Sequence, residues 1–137
     1  KQIMCVGTTS VRTIESLYWH GVKILKNNLI YSDLDVKQWD PYQEECTISA
    51  KESLQAILDS MNKDNKDVLL GQTQLMIVPG YSFRIVNSMI TNFHQPKSTL
   101  LLLVSAMIGD SWKSVYQFAL ENNYRFLSFG DACMFTK

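Results

Sequence analysis

Thr91-Asn-Phe-His-Gln-Pro-Lys-Ser-Thr-Leu-Leu-Leu-Leu-Val-Ser-Ala-Met-Ile-Gly109 carries the strongest structural signal in this sequence. Its first half is polar and contains Pro96, and its second half, from Leu100 to Ile108, is almost entirely apolar. Proline suits the first turn of a helix, because its φ is fixed and its missing N–H would have no partner there. We therefore expect a polar loop at the N-terminus of a buried helix, where free N–H groups favour an anionic or polar ligand. The polar residues of this loop are Asn92, His94, Gln95, Lys97 and Ser98.

The composition indicates a soluble globular protein. The 137 residues suffice for a single domain with a hydrophobic core, since 46% of them are hydrophobic and 19% are charged. The apolar run that begins at Leu100 has nine residues, too few to cross a bilayer. The chain starts at Lys1 within an apolar stretch that does not match a signal peptide. We therefore expect residues 1–137 to be one cytoplasmic α/β domain fragment whose upstream part is absent.

The cysteines and the charges restrict the class of partner. Cys5, Cys46 and Cys133 are odd in number and far apart, which favours reduced thiols over a disulfide framework or a zinc site. The net charge is zero, but nine acidic residues and only four basic ones lie between residues 30 and 70. A neutral chain does not bind nucleic acid by overall charge. Any RNA contact would come from local groups, at the start of the chain or in the 80–130 region.

A strand, a glycine turn and a helix are predicted at the start of the chain. Ile3–Val6 is a continuous apolar run, typical of a strand buried on both faces. Gly7 follows, and apolar residues then recur at helical spacing as far as Asn27-Asn28, with Thr9 or Ser10 as the expected N-cap. The helix N-terminus could bind a phosphate or carboxylate. Alternatively, the glycine serves only to start the helix.

The remaining pattern alternates between strands and helices. The predicted strands are Cys46–Ile48, Thr73–Val78, Phe83–Val86 and Tyr124–Phe129. The predicted helices are one with a capping box at Ser49 and Glu52 that runs to Met61, the apolar helix after Pro96, and one capped by Asp110 or Ser111 that ends at Asn122-Asn123. This order predicts an α/β fold with a mainly parallel sheet flanked by helices. Ligands of such folds bind beyond the carboxyl ends of strands, where Gly7–Arg12, Pro79–Tyr81 and Gly130–Asp131 fall.

Four polar side chains are candidates for chemistry. His94 could act as a general base or acid, since the ordinary pKa of histidine lies close to neutral pH, or could bind the loop backbone. Arg12 and Lys97 could hold a carboxylate or be surface charges. Asp131 follows a predicted strand and a glycine, which suits a polar site or the cap of a turn. The residues alone support a cytosolic α/β domain with a polar site at loop and helix starts.

Four segments together resemble one family. They are Val6-Gly-Thr-Thr-Ser-Val-Arg-Thr-Ile-Glu-Ser16, Pro79-Gly-Tyr-Ser-Phe83, Thr91-Asn-Phe-His-Gln-Pro-Lys-Ser-Thr-Leu100 and Tyr124-Arg-Phe-Leu-Ser-Phe-Gly-Asp-Ala132. In this order they resemble the C-terminal part of the S-adenosylmethionine:tRNA ribosyltransferase-isomerases of bacterial queuosine biosynthesis. The resemblance extends over nearly the whole chain and is weakest in residues 29–70. It implies an α/β domain that is part of a larger fold with a separate β-barrel domain.

The resemblance also implies a reaction. S-adenosylmethionine would transfer its ribosyl group to 7-aminomethyl-7-deazaguanine at the wobble position of tRNA, giving epoxyqueuosine and releasing adenine and methionine, without a metal. Under this resemblance we assign proton transfer to His94 and Asp131. Binding of S-adenosylmethionine is assigned to Thr8, Thr9, Ser10, Arg12, Gly80 and Tyr81. Contacts to tRNA phosphates are assigned to Lys97 and Arg125.

Two positions depart from the family pattern. Gln95 replaces an expected leucine, and Asn87 stands where an aspartate is frequent and cannot act as a base. Two alternatives to catalysis therefore remain open. One is an adenosine-type binding module, and the other is a fragment that is inactive without its N-terminal part.

Overall fold

The computed structural model describes residues 1–27, 34–43 and 45–137. Its strands are β1 (Met4–Val6), β2 (Leu34–Val36), β3 (Gly71–Thr73), β4 (Ser88–Asn92) and β5 (Ala132–Thr136). Its α-helices are α1 (Thr8–Asn27), α2 (Ala50–Lys63), α3 (Thr99–Ile108) and α4 (Trp112–Glu121), and short 3-10 turns occupy Asp40–Tyr42 and Gly109–Ser111. None of the helices in the described residues has both the length and the apolar character needed to cross a membrane.

The chain divides into two compact units. One unit comprises Lys1–Val11 and Ile77–Lys137, and the other comprises Arg12–Met76. The first contains a three-stranded sheet in the order β1-β4-β5. Strand β1 is parallel to β4 and β5 is antiparallel to it. The predicted α/β class is confirmed, whereas the mainly parallel sheet is confirmed only in part, because the last strand of this sheet runs in the opposite direction.

The second unit is built on helices and a pair of parallel strands, β2 and β3. The capping box predicted for α2 is present, since Ser49 accepts from the Glu52 N–H and Glu52 accepts from the Ser49 N–H. The Ser53 hydroxyl donates to the Tyr18 carbonyl at 2.5 Å. The Tyr18 hydroxyl donates in turn to the Ile48 carbonyl at 2.7 Å. These bonds satisfy buried polar groups where α1, α2 and the segment at Ile48 pack together.

Four predicted strands are wrong as placed. Cys46–Ile48, Phe83–Val86 and Tyr124–Phe129 form no strand, and the one predicted at Thr73–Val78 lies earlier, in β3. Several of their apolar residues are buried by irregular backbone, whereas Tyr124, Leu127 and Phe129 of the last segment are exposed. Leu75 and Ile77 are buried in this way, with backbone N–H groups of the same segment donating to the carbonyls of Val36 and Gln38. An apolar run in the sequence therefore does not by itself distinguish a strand from buried irregular backbone.

Strand β1 is less buried than its sequence predicts. Only Cys5 is in the core, whereas Val6 is 70% exposed. The described part of the sheet pairs β1 on one side only, with β4. The predicted N-caps also shift: Thr9 and Ser10 lie inside α1, which begins at Thr8.

The helix after Pro96 begins slightly later than predicted. Ser98 is the N-cap of α3, because its hydroxyl accepts from the Leu101 N–H at 3.2 Å. The helix is largely buried, as expected. Asp110 and Ser111 lie in a 3-10 turn before α4 and provide no side-chain cap.

Candidate functional site

Three segments distant in sequence meet at one edge of the three-stranded sheet. Because β1 and β4 are parallel, with Val6 opposite Ile90, their carboxyl ends lie at the same edge. Strand β5 is antiparallel and starts there, with Ala132 opposite Asn92. The edge therefore brings together the turn after β1, the loop after β4 and the turn before β5. Two of the three predicted ligand-binding turns, at Gly7 and at Gly130–Asp131, lie at this edge.

Gly7 makes the turn from β1 into α1. Its φ is +85°, a conformation that side chains other than glycine's adopt at a cost. Its N–H donates to the Ile90 carbonyl of β4 at 2.8 Å. The helix thus begins directly against the central strand. Of the residues assigned to S-adenosylmethionine, Thr8 is buried at this point, whereas Thr9 and Ser10 are exposed.

His94 lies just beyond β4 and is held at two points. Its Nε2 is 2.9 Å from the Thr91 hydroxyl, a hydrogen bond in which either group can donate. Its backbone N–H donates to the Tyr116 hydroxyl at 3.0 Å. Partial burial lowers the pKa of the imidazole below its ordinary value. In the neutral imidazole one ring nitrogen carries the proton and the other can accept one, and the hydrogen bond to Thr91 influences which nitrogen does which.

An aromatic cluster supports the His94 loop. The Phe93 ring contacts the rings of Tyr116, Tyr124 and Phe126 at centroid distances of 5.2 to 5.8 Å. Burial raises the pKa of Tyr116, so its hydroxyl stays protonated. The backbone directly before His94 is therefore held by the packing of Phe93.

Asp131 and Arg125 bind each other across the turn before β5. The Asp131 carboxylate accepts from the Arg125 backbone N–H at 2.8 Å and from its guanidinium at 3.0 Å. The side-chain hydrogen bond with Arg125 lowers the pKa of Asp131, and the same pair raises the pKa of Arg125. The Asn92 amide donates to the carbonyls of Gly130 and Asp131 at 3.1 and 3.4 Å. Asp131 thus lies at the edge with a clear role in its geometry, while its role in proton transfer remains a prediction.

The other assigned residues are placed differently. The Arg12 Nε donates to the Leu75 carbonyl at 3.1 Å, within the second unit. Gly80 is exposed, whereas Tyr81 is buried and its ring contacts that of Phe83. Residues 74–78, directly before Pro79, form no strand, so the structure gives Gly80 and Tyr81 no position at the carboxyl end of a strand.

Lys97 is one of the residues that line a cavity in the first unit. The cavity has a volume of about 320 Å³ and is lined mainly by α3 and by Trp112 at the start of α4. Lys97 has a φ of +60°, a left-handed conformation uncommon for a residue with a side chain.

The residues that support the site were not predicted from the sequence. Thr91 and Tyr116 hold His94, and Cys133 donates from its thiol to the Thr91 carbonyl at 3.4 Å. Burial raises the pKa of Cys133 to about 11, so the thiol is a structural donor and not a nucleophile. The inward spacing of Tyr116 on α4 was the one available signal.

Among residues 1–27, 34–43 and 45–137, no group of three histidine, cysteine, aspartate or glutamate side chains is arranged to hold a metal ion.

Known proteins similar to this chain agree on one family. The curated S-adenosylmethionine:tRNA ribosyltransferase-isomerase of Natranaerobius thermophilus is 60% identical over 68 residues, which cover 49% of this chain and 20% of that protein. The enzyme of the same name from Vesicomyosocius okutanii is 51% identical over 83 residues, or 59% of this chain and 24% of that protein.

A solved structure supports the same relationship. The crystal structure of the S-adenosylmethionine tRNA ribosyltransferase from Thermotoga maritima matches 98% of this chain with a TM-score of 0.60 and 31% identity, and the match covers 33% of that protein. The chain therefore corresponds to between a fifth and a third of the length of these three proteins. Residues 1–135 match the family described as queuosine biosynthesis protein, and the chain belongs to that family.

Proposed function

We propose that the protein containing this chain transfers and isomerises the ribosyl group of S-adenosylmethionine onto 7-aminomethyl-7-deazaguanine in tRNA. The product is epoxyqueuosine in tRNA, and adenine and methionine are released. The proposal is supported by the names of the relatives and by the position of His94 in the segment most typical of the family. The setting of such a reaction is cytoplasmic and bacterial.

The observation that carries the proposal is the state of His94. The reaction requires a base that removes a proton from the carbon beside the sulfonium of S-adenosylmethionine. An imidazole held through Thr91 and Tyr116 at the edge of the sheet fits this requirement. Burial lowers the pKa of His94, which favours the neutral form that a general base requires.

The segments around His94 fit the remaining tasks. We assign the exposed hydroxyl-bearing start of α1, at Thr9 and Ser10, to the polar part of S-adenosylmethionine, together with Thr8, Arg12, Gly80 and Tyr81. Asp131 is the second proposed participant in proton transfer, and it is held by Arg125. Lys97 and Arg125 are the proposed contacts to tRNA phosphates.

The test uses the complete gene product that contains this chain. It is incubated with S-adenosylmethionine and tRNA bearing 7-aminomethyl-7-deazaguanine, and nucleoside mass spectrometry measures epoxyqueuosine. The wild type is expected to form it with release of adenine and methionine. His94→Gln is expected to lower turnover by about 100-fold or more, the usual contribution of a general base.

A second histidine provides the matched control. His20 lies in the second unit, and His20→Gln should leave turnover near that of the wild type once folding has been checked by circular dichroism. Near-normal turnover by His94→Gln would remove His94 from the mechanism. If the wild type binds S-adenosylmethionine but forms no product, the protein is a binding module and the proposed function is refuted.

A further inference from the structure

The cavity beside Lys97 is open to solvent and has two chemically different parts. Its wall is apolar, formed by Leu101, Leu102 and the ring of Trp112. Its polar lining consists of Lys97, Ser98, Thr99 and Ser105. Leu102 is 40% exposed even though the helix around it is largely buried. Apolar surface with a few polar groups is typical of a ligand site.

The Trp112 ring is held in a defined orientation. It meets the Tyr116 ring edge-on, with centroids 5.8 Å apart and planes at 84°. An indole that is fixed by a neighbouring ring and borders an open cavity can stack a flat partner without first being ordered. Nucleobases are such partners, because each of them has a π-face that stacks on aromatic side chains.

The polar lining of the cavity carries an available positive charge. In the parts of the chain that the structure describes, no acidic side chain pairs with Lys97, whereas the nearby Lys113 is paired with Asp110 at 2.8 Å. The left-handed φ of Lys97 is the kind of backbone strain that is frequent at binding sites. A base in the cavity would place its phosphate within the reach of this ammonium group.

The cavity is also coupled to the candidate catalytic residue. Tyr116 contacts Trp112 with its ring and accepts from the His94 N–H with its hydroxyl. Only one side chain therefore separates the cavity wall from the loop of His94. The volume of about 320 Å³ lies at the lower end of the range for ligand sites, which suits a single base with its sugar.

We propose that this cavity binds one unstacked nucleobase of the RNA substrate, stacked on Trp112, with the adjoining phosphate on Lys97. The inference rests on the proposed function, because it names the part of the protein that grips the RNA next to His94. The adenine of S-adenosylmethionine has the same stacking chemistry, so the experiment distinguishes these two sources of a base.

The experiment measures the affinity of the complete gene product for tRNA bearing 7-aminomethyl-7-deazaguanine, and separately for S-adenosylmethionine. Trp112→Leu removes the stacking face, and Ser105→Phe fills the cavity while Trp112 remains. Trp112→Phe keeps an aromatic face. Trp39→Leu is the control, because Trp39 is a 51% exposed tryptophan in the second unit.

Loss of one stacked base is expected to weaken tRNA binding by about 5- to 150-fold in Trp112→Leu and Ser105→Phe. Trp112→Phe should retain most of the affinity, Trp39→Leu should match the wild type, and the affinity for S-adenosylmethionine should be unchanged in all four. Lys97→Gln should reduce the slope of log affinity against log salt by about 0.7, the contribution of one single-strand phosphate. Lys51→Gln, which removes an exposed charge from α2, should leave that slope unchanged.

Wild-type tRNA affinity in both Trp112→Leu and Ser105→Phe would overturn the proposal. A loss confined to S-adenosylmethionine would also overturn it, and would assign the cavity to adenine. If Trp112→Leu fails to fold, the comparison relies on Ser105→Phe and on 19F NMR of 5-fluorotryptophan protein, where the Trp112 signal must shift on addition of tRNA. Failure of the proposed function is distinguishable, because it shows as a wild type that forms no epoxyqueuosine, whatever the variants bind.

Discussion

Tyr116→Phe tests whether the hydroxyl of this residue holds the His94 loop. Tyr116 is only 7% exposed, and its hydroxyl accepts the backbone N–H of His94 at 3.0 Å. The substitution removes that one oxygen. The ring contacts with Phe93, Trp112 and Phe126 depend on the aromatic ring and are retained. The change therefore isolates a single hydrogen bond.

The expected cost follows from the burial of the N–H that loses its partner. A buried donor left unsatisfied costs about 1–3 kcal/mol. His94 is half-buried, so water can restore part of the loss, and we expect the lower part of that range, about 1–2 kcal/mol. Local opening of the loop should become easier by the same amount. A loop that no longer holds His94 in place should also lower kcat, by up to about 100-fold.

Hydrogen exchange of the His94 amide is the most direct assay. A cost of about 1–2 kcal/mol corresponds to exchange roughly 5 to 30 times faster than in the wild type. Tyr124→Phe is the matched control, because Tyr124 is 41% exposed and its ring also contacts Phe93. This control should change stability by no more than about 0.5 kcal/mol. Unchanged exchange at His94 in Tyr116→Phe, or an equal effect in Tyr124→Phe, would refute the reasoning.

Three further predictions concern Thr91, Gly130 and the two histidines. Thr91→Val removes the hydroxyl beside His94 Nε2 while keeping the side-chain shape, so kcat and its pH profile should change. Thr91→Ser keeps the hydroxyl and should behave like the wild type. Equal kinetics in both variants would exclude this role. Gly130→Ala should destabilise the protein by about 1–3 kcal/mol in thermal unfolding, because a Cβ there would collide with the Arg125 carbonyl; an unchanged melting temperature would contradict the geometry. Burial lowers the folded-state pKa of both His20 and His94, so the unfolded chain binds more protons than the folded chain below about pH 6.5. The free energy of unfolding, measured with urea, should therefore fall on acidification by at most about 1.4 kcal/mol per pH unit for each histidine. Glutamine at both positions should flatten this pH dependence.

Helices were predictable because their signals are local. The capping box at Ser49 and Glu52 fixed the start of α2, and the Asn122-Asn123 pair fixed the end of α4. The polar loop before α3 was also predictable, together with His94 as its candidate residue. Such signals depend on residues within one or two turns of each other, so the sequence alone contains them.

The strands were less predictable because their pairing partners are distant in sequence. Tyr124–Phe129 is rich in aromatic residues, which favours a strand, yet the segment forms a turn in which Leu127 has a φ of +69°. Its backbone is instead fixed by Phe93, whose carbonyl accepts the Leu127 N–H at 2.9 Å, and by the ion pair of Asp131 with Arg125. Tertiary contacts thus override the local preference. Strand β4 was missed for a related reason, since Ser88–Asn92 becomes a central strand only through β1 and β5.

The candidate site depends on these distant pairings more than on any single motif. The register of β4 with both neighbours places Gly7 and Asp131 at the edge where His94 emerges. A shift of one residue would move Thr91 to the opposite face of the sheet and separate its hydroxyl from His94. Tyr116 then adds a constraint from α4 that acts on the same loop. The position of the His94 imidazole is therefore a property of the assembled edge, so substitutions that loosen the strand register should reduce turnover even where they leave every polar site residue in place.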